Sequence, residues 1–150
     1  MKKSVFIFVF VVSCISYAQN GFYNWINHTP QELIKEKGIP AQINPAGKDS
    51  IYIYKGELGY TSFLVKNNSI FKTNNTSYWK TQGKANSALK TLLGLYQKDG
   101  FKVEKKTAKS INLSNEIYSI KLEVYYSENY YAASETATIK KEQTQWNINF

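Results

Sequence analysis

The chain has 150 residues and a formal net charge of +8, and lysine supplies all 19 of its positive side chains. Twelve Tyr, 8 Phe and 3 Trp make 15% of it aromatic and 43% is apolar, which excludes a disordered or collagen-like chain. Its single Cys and single His exclude a disulfide framework, a multi-cysteine metal knuckle and a histidine-rich metal site.

Met1-Lys2-Lys3 precedes an apolar run from Val5 to Val12, the n- and h-regions of a bacterial secretory leader. The run is shorter than the roughly 20 apolar residues that span a bilayer. Ser16-Tyr17-Ala18 offers small residues at the cleavage positions, so residues 1–18 read as a signal peptide. Val11-Val12-Ser13-Cys14 offers the alternative, a lipobox that would make Cys14 the acylated first residue. Cleavage after Ala18 leaves one domain, 19–150, with 17 Lys, 11 acids and no thiol, which suits an oxidising compartment. The absence of arginine beside abundant Lys, Asn, Ile and Tyr looks like genome composition rather than a binding code.

A helix is punctuated at both ends. Thr29 and Glu32 form a T-x-x-E capping box around Pro30 at the first helical position. Lys35 and Lys37 suit its C-terminus, Gly38 its left-handed stop, Ile39 a returning apolar contact, and Pro40 blocks continuation. After a loop at 45–49, strands are expected over 51–55, 60–66 and 69–73, with turns at 56–59 and at Asn67-Asn68. Residues 74–83 read as polar and turn-like apart from Tyr78 and Trp79. Ala85, Ala88, Leu89, Leu92, Leu93 and Tyr96 recur at 3.6-residue spacing and predict a second helix over 84–98. Strands follow at 101–105, 110–114, 116–126 and 130–140. The fold class is α+β, two helices on one face of an antiparallel sheet. Leu33 to Ile39 parallels Leu95 to Phe101, and Ser50-Ile51 parallels Ser110-Ile111. These matches suggest tandem α-β-β-β sub-repeats at 29–73 and 84–140, although helix ends also converge on glycine followed by an apolar residue.

The stretch from Thr29 to Pro40, with Ile51-Tyr52-Ile53-Tyr54 and Phe63 to Ile70, resembles the small exported SmpA/OmlA (BamE) envelope lipoproteins. That family shows a capped helix ending in Gly-x-Pro, an aromatic strand and a strand-turn-strand. Its fold is similar to the β-lactamase-inhibitor-like fold, which is repeated in tandem. The resemblance implies helices on one face of an antiparallel sheet and a non-enzymatic protein that contacts other proteins. No functional residue carries over, because the matching positions are caps, turns and core.

No phosphate loop or nucleophile elbow is present, and His28, just ahead of the helix cap, has no nucleophile or orienting partner in sequence. Lysines interleaved with tyrosines suit single-stranded nucleic acid, but export and the missing arginine oppose it. Trp146, Ile148 and Phe150 alternate at the C-terminus as in outer-membrane barrels, yet two helices leave too few residues for eight membrane strands. If Ile51, Ile53 and the even positions of 118–126 face the helices, then Tyr52, Tyr54, Tyr60, Tyr125 and Tyr130 lie on the uncovered face. Tyrosine suits protein contact there, and equally suits any exposed strand. The leading expectation is an exported, non-catalytic module that binds another envelope or secreted protein, in assembly, inhibition or immunity. No cofactor, metal or nucleic acid is expected. A small-ligand carrier with an aromatic cavity between helices and sheet is the alternative, and an enzyme with fold-assembled carboxylates is the third.

Overall fold

Thr29 and Glu32 cap helix α1 (Pro30–Lys37) reciprocally in the computed structural model, which describes residues 21–140. The Thr29 N–H donates to Glu32 Oε2 at 2.7 Å and the Glu32 N–H to Thr29 Oγ1 at 3.3 Å. The backbone bond from Thr29 is the main cause that holds the Glu32 carboxyl below its ordinary range. Gly38 ends the helix at φ 81°, its N–H donating to the Ile34 carbonyl at 2.8 Å. Ile39 does not return to the helix as expected; it is 89% exposed. The Tyr54 hydroxyl closes this end instead, donating to the Gly38 carbonyl at 3.0 Å. Helix α2 (Gln82–Lys98) begins two residues ahead of the expected start, where Thr81 accepts from the Lys84 N–H. Beyond Gly100 (φ 85°), Phe101 does fold back, its N–H reaching the Tyr96 carbonyl at 3.0 Å and its ring buried. The expected leader at 1–18, both candidate cleavage positions and the Trp146–Phe150 tail lie outside the described residues.

Each helix is followed by four strands. After α1 come β1 (Gln42–Ala46), β2 (Asp49–Lys55), β3 (Gly59–Lys66) and β4 (Ser69–Trp79). After α2 come β5 (Lys102–Lys106), β6 (Ser110–Ser114), β7 (Tyr118–Ser127) and β8 (Tyr130–Ile139). They form a single eight-stranded sheet in the order β1-β2-β3-β4-β8-β7-β6-β5, antiparallel throughout. Two segments differ from expectation. The Pro45 loop is the end of β1, and proline is tolerated there because β1 is an edge strand. The polar stretch 74–79 is strand rather than turn, because its side chains bond sideways to β8. Asn74 Nδ2 donates to Ser134 Oγ at 3.1 Å and to Thr136 Oγ1 at 3.0 Å. Asn67-Asn68 and Glu128-Asn129 take positive φ and make two-residue hairpin turns between β3 and β4 and between β7 and β8. Gly59 permits the close approach of β3 to β4, since a Cβ there would sit 1.9 Å from the Thr76 carbonyl oxygen.

The register assigns the faces. Ile43, Tyr52, Phe63, Thr73, Ala137, Ile120, Leu113 and Val103 lie opposite one another across all eight strands, and so share one face. Both helices cover that face: Leu33 of α1 packs with Phe63, Val65 and Ile70, and Tyr96 of α2 with Leu113, Ile120 and Leu122. A 3-10 turn (Phe22–Trp25) connects the two apolar clusters. Phe22 and Trp25 belong to the α1 cluster, while Tyr23 and the following Ile26 belong to the α2 cluster. The other face carries no helix among the described residues.

Candidate functional site

The uncovered face is polar along its middle and aromatic at one end. Tyr60 of β3, Tyr78 of β4, Tyr125 of β7 and Tyr130 of β8 project from it, in register with Thr76, Ala132 and Ser127. The Tyr78 ring stands 6.4 Å from Tyr60 and 6.5 Å from Tyr130. Tyr125 and Tyr130 remain 42% and 44% exposed, enough to meet a partner without rearrangement. Ala132 and Thr76 are nonetheless buried. Ala132 lies directly opposite both Tyr78 and Tyr125, so large rings flank a small side chain. Burial is the first cause raising the Tyr78 and Tyr125 hydroxyls above their ordinary range, and Tyr60 the second; these phenols are neutral hydrogen-bonding groups at physiological pH.

Of the tyrosines expected here, Tyr60, Tyr125 and Tyr130 are on the open face, and Tyr52 and Tyr54 are not. Tyr52 lies opposite Phe63, Tyr54 lies opposite Thr61, and both pack on the α1 cluster. The reason is the α1 stop. With Ile39 in solvent, the Tyr54 ring covers that end, edge-on to Phe63 at 5.7 Å, and Ile51 and Ile53 turn to the open face. A Tyr54→Ser variant is therefore expected to lose about 1–3 kcal/mol of stability by denaturant unfolding. An unchanged midpoint would place the ring outside the core. Tyr78, in a segment whose composition reads as a turn, joins the group. A pattern of alternate residues extended through Asn74 and Thr76 points to it.

Beside the tyrosines the same face sinks into a groove of about 790 Å3. Lys72, Lys121 and Lys140 line it with Glu104, Asn112, Ser114, Ser119, Thr136 and Thr138. Lys121 pairs with Glu123 at 2.7 Å, and the Ser114 hydroxyl donates to Glu104. This hollow is opposite the helices, so it is not the aromatic cavity between helices and sheet that a carrier would use.

On the helix-covered face lies one carboxyl that the sequence does not mark. Glu135, 2% exposed, lies between Asn75 and Leu122 in register and accepts a hydrogen bond from the Tyr96 hydroxyl of α2. Burial pushes its carboxyl up to about 7, with the Tyr96 bond pulling the other way. Burial likewise raises the Tyr96 phenol, with Glu135 second. Glu135 Oε2 has no partner among the described residues. His28 sits in the open, 3.5 Å from Glu32 and beside the Trp25 ring. Among the described residues no group of His, Cys, Asp and Glu is placed to hold a metal ion.

No protein-family model and no curated protein matches the sequence. Among solved structures, the chain is similar to a cysteine-rich secretory protein from Staphylococcus aureus. The TM-score is 0.54 at 10% identity, over 83% of this chain and 48% of that one. A second, an extracellular protein containing a SCP domain from Bacillus anthracis, gives a TM-score of 0.42 at 12% identity, over 86% and 49%. The chain thus spans about half the length of each. The first likeness shows a shared fold. No helix of the described residues is long and apolar enough to cross a membrane, which says nothing of a β-barrel.

Proposed function

We propose that the chain is an exported, non-catalytic module of the bacterial envelope that binds another protein through the open face of its sheet. The observation that carries this reading is the group Tyr60, Tyr78, Tyr125 and Tyr130 on a face that no helix covers among the described residues. Tyrosine combines a large contact area, few rotatable bonds and a polar tip, and is enriched where interfaces concentrate their affinity. Export is supported by the Lys2-Lys3 leader and by a structural relative described as secretory. The resemblance over residues 29–73 to the SmpA/OmlA lipoproteins supports a protein-contacting role, in assembly, inhibition or immunity alike, and residues 29–73 carry α1 and most of the first four strands.

We also read the halves as tandem units, each one strand longer than α-β-β-β. The support is topological: β4 and β8, the last strands of the two halves, meet antiparallel at the centre of the sheet.

Capture from a native envelope extract tests the reading. The Tyr78→Ser/Tyr125→Ser/Tyr130→Ser variant is expected to keep its fold and to lose about 2 kcal/mol or more of partner affinity. Capture of the same partner with undiminished affinity by this variant would remove the tyrosine face from consideration.

A further inference from the structure

The end of α2 covers a carboxyl that has a single partner. Glu135 is 2% exposed; its Oε1 accepts from the Tyr96 hydroxyl, and its Oε2 has no partner among the described residues. Beside it in register stand Asn75 of β4 and Leu122 of β7, which carry no charge. The ionisable groups on the helix side are Tyr96 itself, Tyr23 of the 3-10 turn and Asp99 at the end of α2. The Tyr23 ring lies 5.9 Å from that of Tyr96, and its hydroxyl donates to Asp99 at 3.2 Å. Tyr118 of β7 stands behind Tyr23 at 5.3 Å. None of these groups is a cation. An ionised Glu135 would therefore be a buried charge without a counter-ion, a state that proteins escape by keeping the proton or by admitting water.

The helix above is weakly built at the same place. Gly94 lies inside α2, and a Cβ there would meet no atom within 4 Å, so packing does not require a glycine. An interior glycine shifts the helix equilibrium against the helix by about fivefold relative to alanine. Gly100, at φ 85°, follows the helix end. Between the two glycines Tyr96 is the one buried side chain. The geometry points to a latch: the segment between Gly94 and Gly100 lifts Tyr96 from the sheet when Glu135 loses its proton, and water then reaches the carboxylate. Burial keeps the proton in place up to about 7, against an ordinary 4.5 once the segment is open. The Tyr96 phenol, raised by the same burial, stays neutral throughout. The open-to-closed ratio is thus lowest below the lower value, rises between the two and levels off above the higher, up to about 300-fold greater. Lifting bares Phe101, Leu113, Ile120 and Leu122 of the α2 cluster, so an apolar surface is withheld in acid and offered in alkali. None of these groups belongs to the tyrosine face, so the latch stands apart from the binding-module reading.

Native-state hydrogen exchange followed by NMR, between pH 4 and pH 9 and in low urea, tests the latch. Protection at the Leu95, Tyr96 and Gln97 amides is expected to fall by up to about 300-fold as pH rises. It should respond little to urea, as a small opening does, whereas β3 and β4 amides should show the steep urea dependence of global unfolding. Glu135→Gln should make the protection of the segment independent of pH. Gly94→Ala should raise it about fivefold at every pH. One urea dependence shared by the segment and β3 at all pH values would show that Tyr96 leaves only when the whole chain unfolds, and would overturn the proposal. An equal fall in Glu135→Gln, or no change in Gly94→Ala, would overturn it as well. If Glu135→Gln fails to fold, the unaltered chain and Gly94→Ala decide the matter.

Discussion

Replacing Glu135 with glutamine is expected to stabilise the protein above pH 7 by up to about 3 kcal/mol and to flatten its pH dependence in the range just below. The carboxyl titrates at about 7 in the fold against an ordinary 4.5. Below the lower value both folded and unfolded chains hold the proton, and the group is neutral to stability. Between the two values the unfolded chain releases its proton and the folded chain keeps it, so stability falls as pH rises. Above about 7 both are ionised and the loss is complete, about 3 kcal/mol for a difference of this size. Glutamine keeps the shape and can accept from the Tyr96 hydroxyl without ever ionising. Denaturant unfolding of both proteins between pH 4 and pH 9 provides the comparison, and the difference between the curves removes the contribution of exposed acids such as Glu32. Parallel curves would mean that Glu135 ionises as easily in the fold as outside it. Tyr96→Phe should act in the opposite sense, removing the one hydrogen bond that favours the charged form.

The second large effect is expected at Phe63. Its side chain is fully buried, edge-on to Trp25 at 6.1 Å, and touches the α1 cluster that contains Leu33 and Ile70. Phe63→Ala should cost about 3–5 kcal/mol, the transfer of a ring plus the void it leaves. Trp25 lies in the same cluster, so its fluorescence reports the loss locally. A midpoint lowered by less than about 1 kcal/mol would mean that the α1 cluster contributes little to global stability. The comparison also tests cooperativity. If the Phe22–Trp25 turn binds the clusters into a single unit, signals from the α2 side should shift together with Trp25.

Both helices are legible in the sequence because their ends carry explicit chemistry: Thr29, Glu32 and Gly38 for the first, and an unbroken apolar stripe closed by Gly100 and Phe101 for the second. Strand β7 is legible for a different reason, its strict alternation from Tyr118 to Tyr126. The facing of β2 is not. Ile51-Tyr52-Ile53-Tyr54 alternates two residue types that are both suited to burial, so periodicity gives the spacing of the faces and not which one is inside. Something remote in sequence decides that, the exposed end of α1 that needs the Tyr54 ring. Strand β4 is hidden beyond Thr73 because its Asn, Thr and Ser side chains are satisfied by β8, some 60 residues away. Glu135 is unreadable for the same reason: nothing in Ser134-Glu135-Thr136 marks a charge that α2 will cover.

The central pairing of β4 with β8 has a consequence in time. Residues 72–79 find their second neighbour only in 131–138, the last strand of the described chain. A chain that emerges N-terminus first completes β1 to β4 while the outer edge of β4 is still bare, and bare strand edges invite pairing with other chains. The Phe22–Trp25 turn emerges before any strand, yet Tyr23 settles against Tyr96, Phe101 and Tyr118, all from the second half of the chain. Phe22 and Trp25 can thus dock early, on the α1 cluster, while Tyr23 and Ile26 of the same stretch must wait for the second half of the chain. The fold closes late, through contacts of long sequence separation that slow folding, and its open edge in that interval is where a chaperone would be expected to act.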